Sequence, residues 1–223
     1  MTHKLPVILR HVRRKMPEFD PTLPLRKTIY FLTRLAYKPR YIGMENIPKE
    51  GPVILISNHV SYMDGPIIDA GLNRLVHYII DEDIYNVPGV HFIMSRAQAI
   101  PIAPNRKSVE RAFDLVSEAL RRGEAVCIFP EGFLTFTGGL GRFRPGIEWM
   151  IKRDPVPIVP IALSGLWGSV FSRQYRGSWK RFFPRRCLRG HVVVKCGPAI
   201  DPARATVNEL QDIVMKLKYS IEN

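Results

Sequence analysis

Three stretches of this chain are apolar at nearly every position rather than at every second one: Val53-Ile54-Leu55-Ile56, Ala125-Val126-Cys127-Ile128 and Pro157-Ile158-Val159-Pro160-Ile161-Ala162-Leu163. A strand with one wet face alternates polar and apolar residues. A strand with no polar side is covered on both faces, which is the signature of a parallel sheet between layers of helices. Helical patterns fall between these runs. Ser108 to Arg122 carries Val109, Ala112, Phe113, Val116, Ala119 and Leu120 on one stripe, with Ser108 as N-cap and Gly123 as stop. Met63 to Leu72 and Gly146 to Arg153 read as shorter helices, the latter behind Pro145. Thr206-Val207-Asn208-Glu209 is a capping box that opens a last helix. A short strand and turn are expected at Tyr41 to Pro48, with further strands at Val76 to Ile80, Ala99 to Ile102 and His191 to Cys196. Residues 84–95 are weakly helical and broken at Pro88-Gly89. The prolines of the 157–163 run predict an edge or end position for that strand. The fold class is therefore α/β: one domain with a mainly parallel central sheet flanked by helices, behind a basic amphipathic N-terminal helix. A length of 223 residues suits one domain with a substantial core.

Charge narrows the partners. Lys and Arg number 33 against 20 Asp and Glu, a formal net charge of +13. Such an excess favours polyanions or anionic surfaces. Residues 1–40 hold ten Lys or Arg and only Glu18 and Asp20 as acids, and they are set apart as a basic helical segment from the domain at 41–223. Leu25 to Tyr37 reads as a helix with Leu25, Ile29, Leu32, Leu35 and Ala36 near one face. That face fits a headgroup layer as well as it fits packing on the domain. Leu5 to Leu9 is too short for a signal-peptide core, and no apolar run approaches the ~20 residues of a spanning helix. The expectation is a peripheral protein on the cytoplasmic face of a membrane. Cys127, Cys187 and Cys196 form no disulfide framework and lack metal-ligand spacing, as in a reducing compartment.

The 53–57 strand runs into Asn58-His59-Val60-Ser61-Tyr62-Met63-Asp64, and the 125–128 strand into Phe129-Pro130-Glu131-Gly132. Polar groups at two strand ends suggest one site built from both. On a regular helix His59 and Asp64 would diverge by roughly 140°. They meet only if His59 lies in the turn and Asp64 in the first turn of the helix. The carboxylate would then fix the tautomer and leave the other ring nitrogen as a base. No Gly-x-Ser-x-Gly nucleophile accompanies them; Ser164 sits in Leu163-Ser164-Gly165. A base without a protein nucleophile fits a substrate hydroxyl as the attacking group. A structural histidine tied to Asp64 at a helix start is the plainer alternative.

Asn-His-x4-Asp, then Phe-Pro-Glu-Gly, then Val156-Pro157-Ile158-Val159-Pro160-Ile161-Ala162 in this order resemble the glycerolipid acyltransferases, specifically the 1-acyl-glycerol-3-phosphate acyltransferase family, over residues 40–172. Ala99 to Pro104, Phe143 to Glu148 and Leu166 to Ser169 look closest to bacterial lysophospholipid acyltransferase domains. The resemblance implies His59 as general base on a lysophospholipid hydroxyl and Asp64 as its orienter. The acyl group would come from the thioester of acyl-CoA or acyl-carrier protein, with no acyl-enzyme, bound cofactor or metal. It also implies acceptor contacts from Glu131 and Gly132, the glycine offering backbone N–H groups to a phosphate or oxyanion. Phe129 and Pro130 share that block and also read as a simple turn. Asn58 and Ser61 beside His59 join them as substrate-contact candidates. Many members of the family carry an Arg two residues after an Ile-Pro-Ile segment; here that place reads Ala103-Pro104. Phosphate contact then falls to Arg96, Arg106, Lys107, Arg142 or Arg144, each of which also reads as a solvated surface charge.

Arg173 to Gly190 interleaves seven Lys or Arg with Trp179, Phe182 and Phe183 and has no acid. Aromatic rings among cations suit an anionic bilayer surface first and inward packing second. No nucleic-acid motif accompanies the charge, so nucleic acid is not expected as a partner. The acceptor expected is lysophosphatidate, with lyso-ornithine lipid or lysophosphatidylethanolamine as the alternative, and a non-catalytic anionic-membrane module as the reading from another class.

Overall fold

The computed structural model describes residues 23–174 and 192–222. Seven strands form one sheet: β1 (Arg40–Ile42), β2 (Val53–Ser57), β3 (Val76–Asp81), β4 (Ile100–Ile102), β5 (Ala125–Ile128), β6 (Ile158–Ser164) and β7 (Val193–Cys196). Their spatial order is β1-β7-β6-β2-β5-β3-β4. The five strands from β6 to β4 run parallel to one another. β7 lies antiparallel to β6, and β1 is parallel to β7, so two strands at one edge are reversed. The expected mainly parallel α/β sheet is what the chain forms.

The unbroken apolar runs are explained by two cores. Val53 and Leu55 of β2 point to one face, with Ala125, Cys127, Val159 and Ile161, and are covered by Ile67 and Ile68 of α2 (Asp64–Ala70). Ile54 and Ile56 point to the other, where α5 (Arg106–Arg121), α6 (Gly146–Arg153) and α7 (Val207–Glu222) bring Ala112, Val116, Leu120, Ile147, Met150, Leu210 and Val214. Every residue of β2 is buried, so alternation would have placed polar groups in one of the cores.

Several expectations shift in detail. α5 begins three residues early, because Asn105 rather than Ser108 is its N-cap: the Asn105 side chain accepts from the Ser108 amide at 2.9 Å. The Ser108 hydroxyl accepts from the Ala103 amide instead, joining the helix to β4. The 84–95 segment divides into α3 (Glu82–Tyr85) and α4 (Val90–Arg96) on either side of Pro88-Gly89. β6 is not at an edge; it lies between β2 and β7. Pro160 is tolerated there because its carbonyl, and hence its missing N–H, faces β7 just past the ladder, where it accepts from the Gly197 amide at 2.8 Å. No bond to β2 is lost.

α1 (Leu23–Tyr37) packs on α2, and only part of its apolar stripe lies on the face it buries. Thr33 and Tyr37 are buried and Ala36 packs beside them, while Phe31, Leu32 and Leu35 stay more than half exposed. Polar ties set this rotation: the Tyr30 hydroxyl donates to Asp69, and Arg34 Nε donates to the Ala70 carbonyl at 2.9 Å. Among the described residues no helix is long and apolar enough to cross a membrane. Most of the basic Arg173 to Gly190 segment, with Trp179, Phe182 and Phe183, lies outside the described residues, as do Cys187, His191 and residues 1–22.

Candidate active site

The register of β2 with β5 pairs Ile56 with Ile128, so the two parallel strands end level and release their loops side by side. Asn58 anchors the first loop. Its side chain behaves as an extra peptide group: Nδ2 donates to the Leu163 carbonyl at 3.0 Å, and Oδ1 accepts from the Leu163 amide at 2.7 Å. The chain then turns sharply, and His59 Nδ1 meets Asp64 Oδ2 at 2.8 Å. The same oxygen accepts from the amides of Val60 at 2.6 Å and Ser61 at 2.9 Å. Three consecutive residues converge on one carboxylate oxygen, which is how a five-residue spacing closes. Asp64 is the first residue of α2 and fully buried, while the His59 side chain is 19% exposed. A carboxylate only accepts, so Nδ1 carries the proton. Nε2 has no hydrogen-bond partner among the described residues and is free to take one from outside.

The second loop holds the first from three sides. The Phe129 ring stacks on the His59 imidazole with centroids 4.1 Å apart and planes 14° from parallel, and Tyr78 lies beyond it at 6.4 Å. Glu131 is fully buried; Oε1 accepts from the His59 amide at 2.7 Å and Oε2 from the Gly141 amide at 2.6 Å. The Thr135 amide donates to the His59 carbonyl at 2.8 Å. Both backbone groups of His59 are therefore fixed by residues 131–135. Burial raises the Glu131 carboxyl above its ordinary value, and the two amides and His59 only partly offset it.

The substrate-contact candidates separate on this geometry. Asn58, Ser61 and Glu131 are buried and engaged with protein groups: Ser61 Oγ accepts from the Met63 amide at 3.2 Å and lies 3.4 Å from Ser169 Oγ. Phe129 faces the imidazole, and the Pro130 carbonyl accepts from the Arg144 amide at 2.8 Å. The Gly132 amide does not point at an anion site; it bonds the Phe129 carbonyl at 3.0 Å in a turn. Glycine is needed at 132 because φ is +74° and a Cβ would come within 2.6 Å of Arg144 Nε. Arg144 stays at the site, donating from Nε to the Glu131 carbonyl at 3.2 Å with its guanidinium 5.6 Å from the Phe133 ring. Arg106 is a highly exposed ion-pair partner of Glu110, and Arg96 lies over the Phe92 ring on α4; neither is drawn into the His59 loop. Lys107 and Arg142 are exposed.

Sequence reasoning passed over Thr135 and Gly141. The glycine had a signal, the run Gly138-Gly139-Leu140-Gly141, and a Cβ there would come within 2.5 Å of Glu131 Oε2. No thiol competes as a nucleophile among the described residues. Burial raises Cys127 well above the ordinary thiol range and Cys196 to about 12. The Ser164 hydroxyl is turned to Glu222 of α7. A cavity of about 490 Å³ lies elsewhere, at the opposite end of the strands, lined by Ile151, Lys152, Pro155, Asp201 and Thr206.

The family model described as Acyltransferase matches residues 38–164, which contain both loops. The chain is 28% identical over 165 residues to a chloroplastic 1-acyl-sn-glycerol-3-phosphate acyltransferase of Brassica napus, covering 73% of this chain and 46% of that protein. It is 30% identical over 199 residues to a 1-acyl-sn-glycerol-3-phosphate acyltransferase of Pseudomonas aeruginosa, covering 81% of this chain and 71% of that one. The chain thus spans about half the length of the chloroplast relatives it matches. Its fold is similar to the crystal structure of a 1-acyl-sn-glycerophosphate acyltransferase from Thermotoga maritima, with a TM-score of 0.72 at 20% identity over 93% of this chain and 84% of that one. With more than half of its length matched and the histidine–aspartate pair in contact, the chain belongs to the acyltransferase family.

Proposed function

We propose that this protein transfers a fatty acyl group from acyl-CoA or acyl-carrier protein to the free hydroxyl of a lysophospholipid, most simply lysophosphatidate to phosphatidate. The observation that carries this reading is the His59 imidazole bonded through Nδ1 to Asp64, with Nε2 left unpartnered among the described residues. In the step proposed, the acceptor hydroxyl attacks the thioester carbonyl while His59 Nε2 takes its proton. A C–O bond forms, the C–S bond breaks, and the departing thiolate recovers the proton from the imidazolium. Asp64 stabilises the imidazolium while it lasts and keeps Nε2 unprotonated before it. Glu131, Thr135 and Phe129 are positioning residues that hold the ring. The reaction takes place at an anionic membrane surface, a setting favoured by the net charge of +13 and by the apolar outer face of α1.

Replacing His59 by Ala tests the assignment. The expected result is a loss of acyl transfer of about 10²–10⁴-fold with the fold retained by circular dichroism, and a lower unfolding temperature because the bond to buried Asp64 and the stack on Phe129 are lost. The assay runs lysophosphatidate, lyso-ornithine lipid and lysophosphatidylethanolamine against both donors, which also ranks the acceptors. Unchanged turnover in His59→Ala would remove His59 as the base; absence of transfer by the wild-type protein with every pair would leave a lipid-surface binding module.

A further inference from the structure

Arg173 follows β6 at the point where the chain returns to the His59 loop. Ser172 forms an antiparallel bridge with Ser61, and the Tyr62 amide donates to the Phe171 carbonyl at 3.3 Å. From the other side, the loop after β5 reaches the same place: Thr135 bonds His59, and the guanidinium of Arg173 lies 4.4 Å from the ring centroid of the next residue, Phe136. Arg173 is thus gripped between two backbone segments, each hydrogen-bonded to the loop that carries the base. Its Nε is buried and has no hydrogen-bond partner among the described residues. Stacking on an aromatic ring uses the face of a guanidinium and does not itself occupy its N–H donors. A covered, unpaired N–H on a permanently charged group is costly and calls for an explanation. An anion arriving at the rim supplies one if it draws the side chain outward, where a phosphate accepts from Nε and Nη2 together.

We propose that Arg173 is a phosphate-binding residue of the active-site rim, positioned by its stack on Phe136. The proposal rests on the acyl-transfer reading above, whose substrates carry phosphate on the acceptor headgroup and on the phosphopantetheine arm of the donor. Arg144, beyond Phe133 on the same loop, adds a second positive charge to that rim, with the Phe133 and Phe136 rings 5.6 Å apart between them.

The test uses Arg173→Gln, Arg173→Lys and Phe136→Leu in the full chain, with circular dichroism and thermal unfolding to establish that each folds. Arg173→Gln is expected to raise KM for lysophosphatidate about tenfold or more with kcat within about threefold, and Arg173→Lys to recover part of the loss. A KM rise confined to the acyl donor also supports the assignment and identifies the donor phosphate as the ligand. Unchanged KM for both substrates would overturn it. Where the KM rise falls on the acceptor, an equal rise with a monoacylglycerol acceptor that has no phosphate would overturn it, and so would a fall in kcat alone. Loss of binding to anionic vesicles with unchanged KM for detergent-dispersed substrate would make Arg173 a bilayer contact and overturn it too. A readout that needs no turnover separates this inference from the acyl-transfer reading: inorganic phosphate is expected to raise the melting temperature of the wild type and not of Arg173→Gln. An equal rise in both proteins would overturn the assignment whatever the enzyme does.

Discussion

Glu131 is a buried carboxylate with both oxygens occupied by backbone amides, those of His59 and Gly141. A glutamine there keeps one acceptor and turns an NH₂ toward the other amide, a cost of about 1–3 kcal/mol. Burial, only partly offset by those amides, holds the Glu131 carboxyl above the ordinary 4.5. Because the folded value exceeds the unfolded one, its stabilising contribution is complete below the unfolded value and is lost as pH rises through the folded one. The deficit of Glu131→Gln is therefore expected to be largest in acid and to shrink toward neutral pH. Denaturant unfolding of both proteins at about pH 4 and about pH 8 checks this, and a deficit that grew with pH would reverse the sign. The pairing of His59 with Asp64 was legible as a motif, since five residues of sequence carry it. The role of Glu131 was not, because its partner amide lies 72 residues away and nothing local in Phe-Pro-Glu-Gly says where the carboxylate turns.

At the scale of elements, the clamp between β2 and β6 is a side chain imitating a strand. Asn58 satisfies both backbone groups of Leu163, where the ladder would otherwise end. Asn58→Ala leaves two buried groups unpaired and is expected to cost on the order of 2–4 kcal/mol, read as a lower denaturant midpoint at unchanged m-value. A change under about 0.5 kcal/mol would mean that water replaces the amide. The apolar runs at 53–57 and 125–128 predicted β2 and β5 closely, because burial on both faces leaves one solution for such a pattern. Pro160 misled for a reason visible only in the assembled sheet: which way its nitrogen faces depends on the partner strand, and β7 comes from more than thirty residues downstream. Ser108 misled as an N-cap because Asn105, three residues earlier, offers the better-placed oxygen.

Over the whole molecule, charge and apolar exposure were legible as quantities but not as places. The pattern of Leu25 to Ala36 fitted a headgroup layer and inward packing equally, and it is Tyr30 and Arg34 that rotate α1 so that Phe31, Leu32 and Leu35 face out. Under the membrane-surface reading, changing these three residues to Ser is expected to lower partition onto anionic vesicles at least about tenfold. Folded stability should change little, since all three are exposed. Co-sedimentation measures it, and undiminished binding would move the contact away from α1. The mutual bracing of the two strand-end loops reaches furthest. Since the amide and the carbonyl of His59 both belong to bonds with residues 131–135, neither loop keeps its shape without the other. Under the acyl-transfer reading, anyone transplanting this chemistry into another scaffold must therefore move the two segments as a single cassette, in register, and an insertion in either one is expected to displace the imidazole even though His59 and Asp64 are still present.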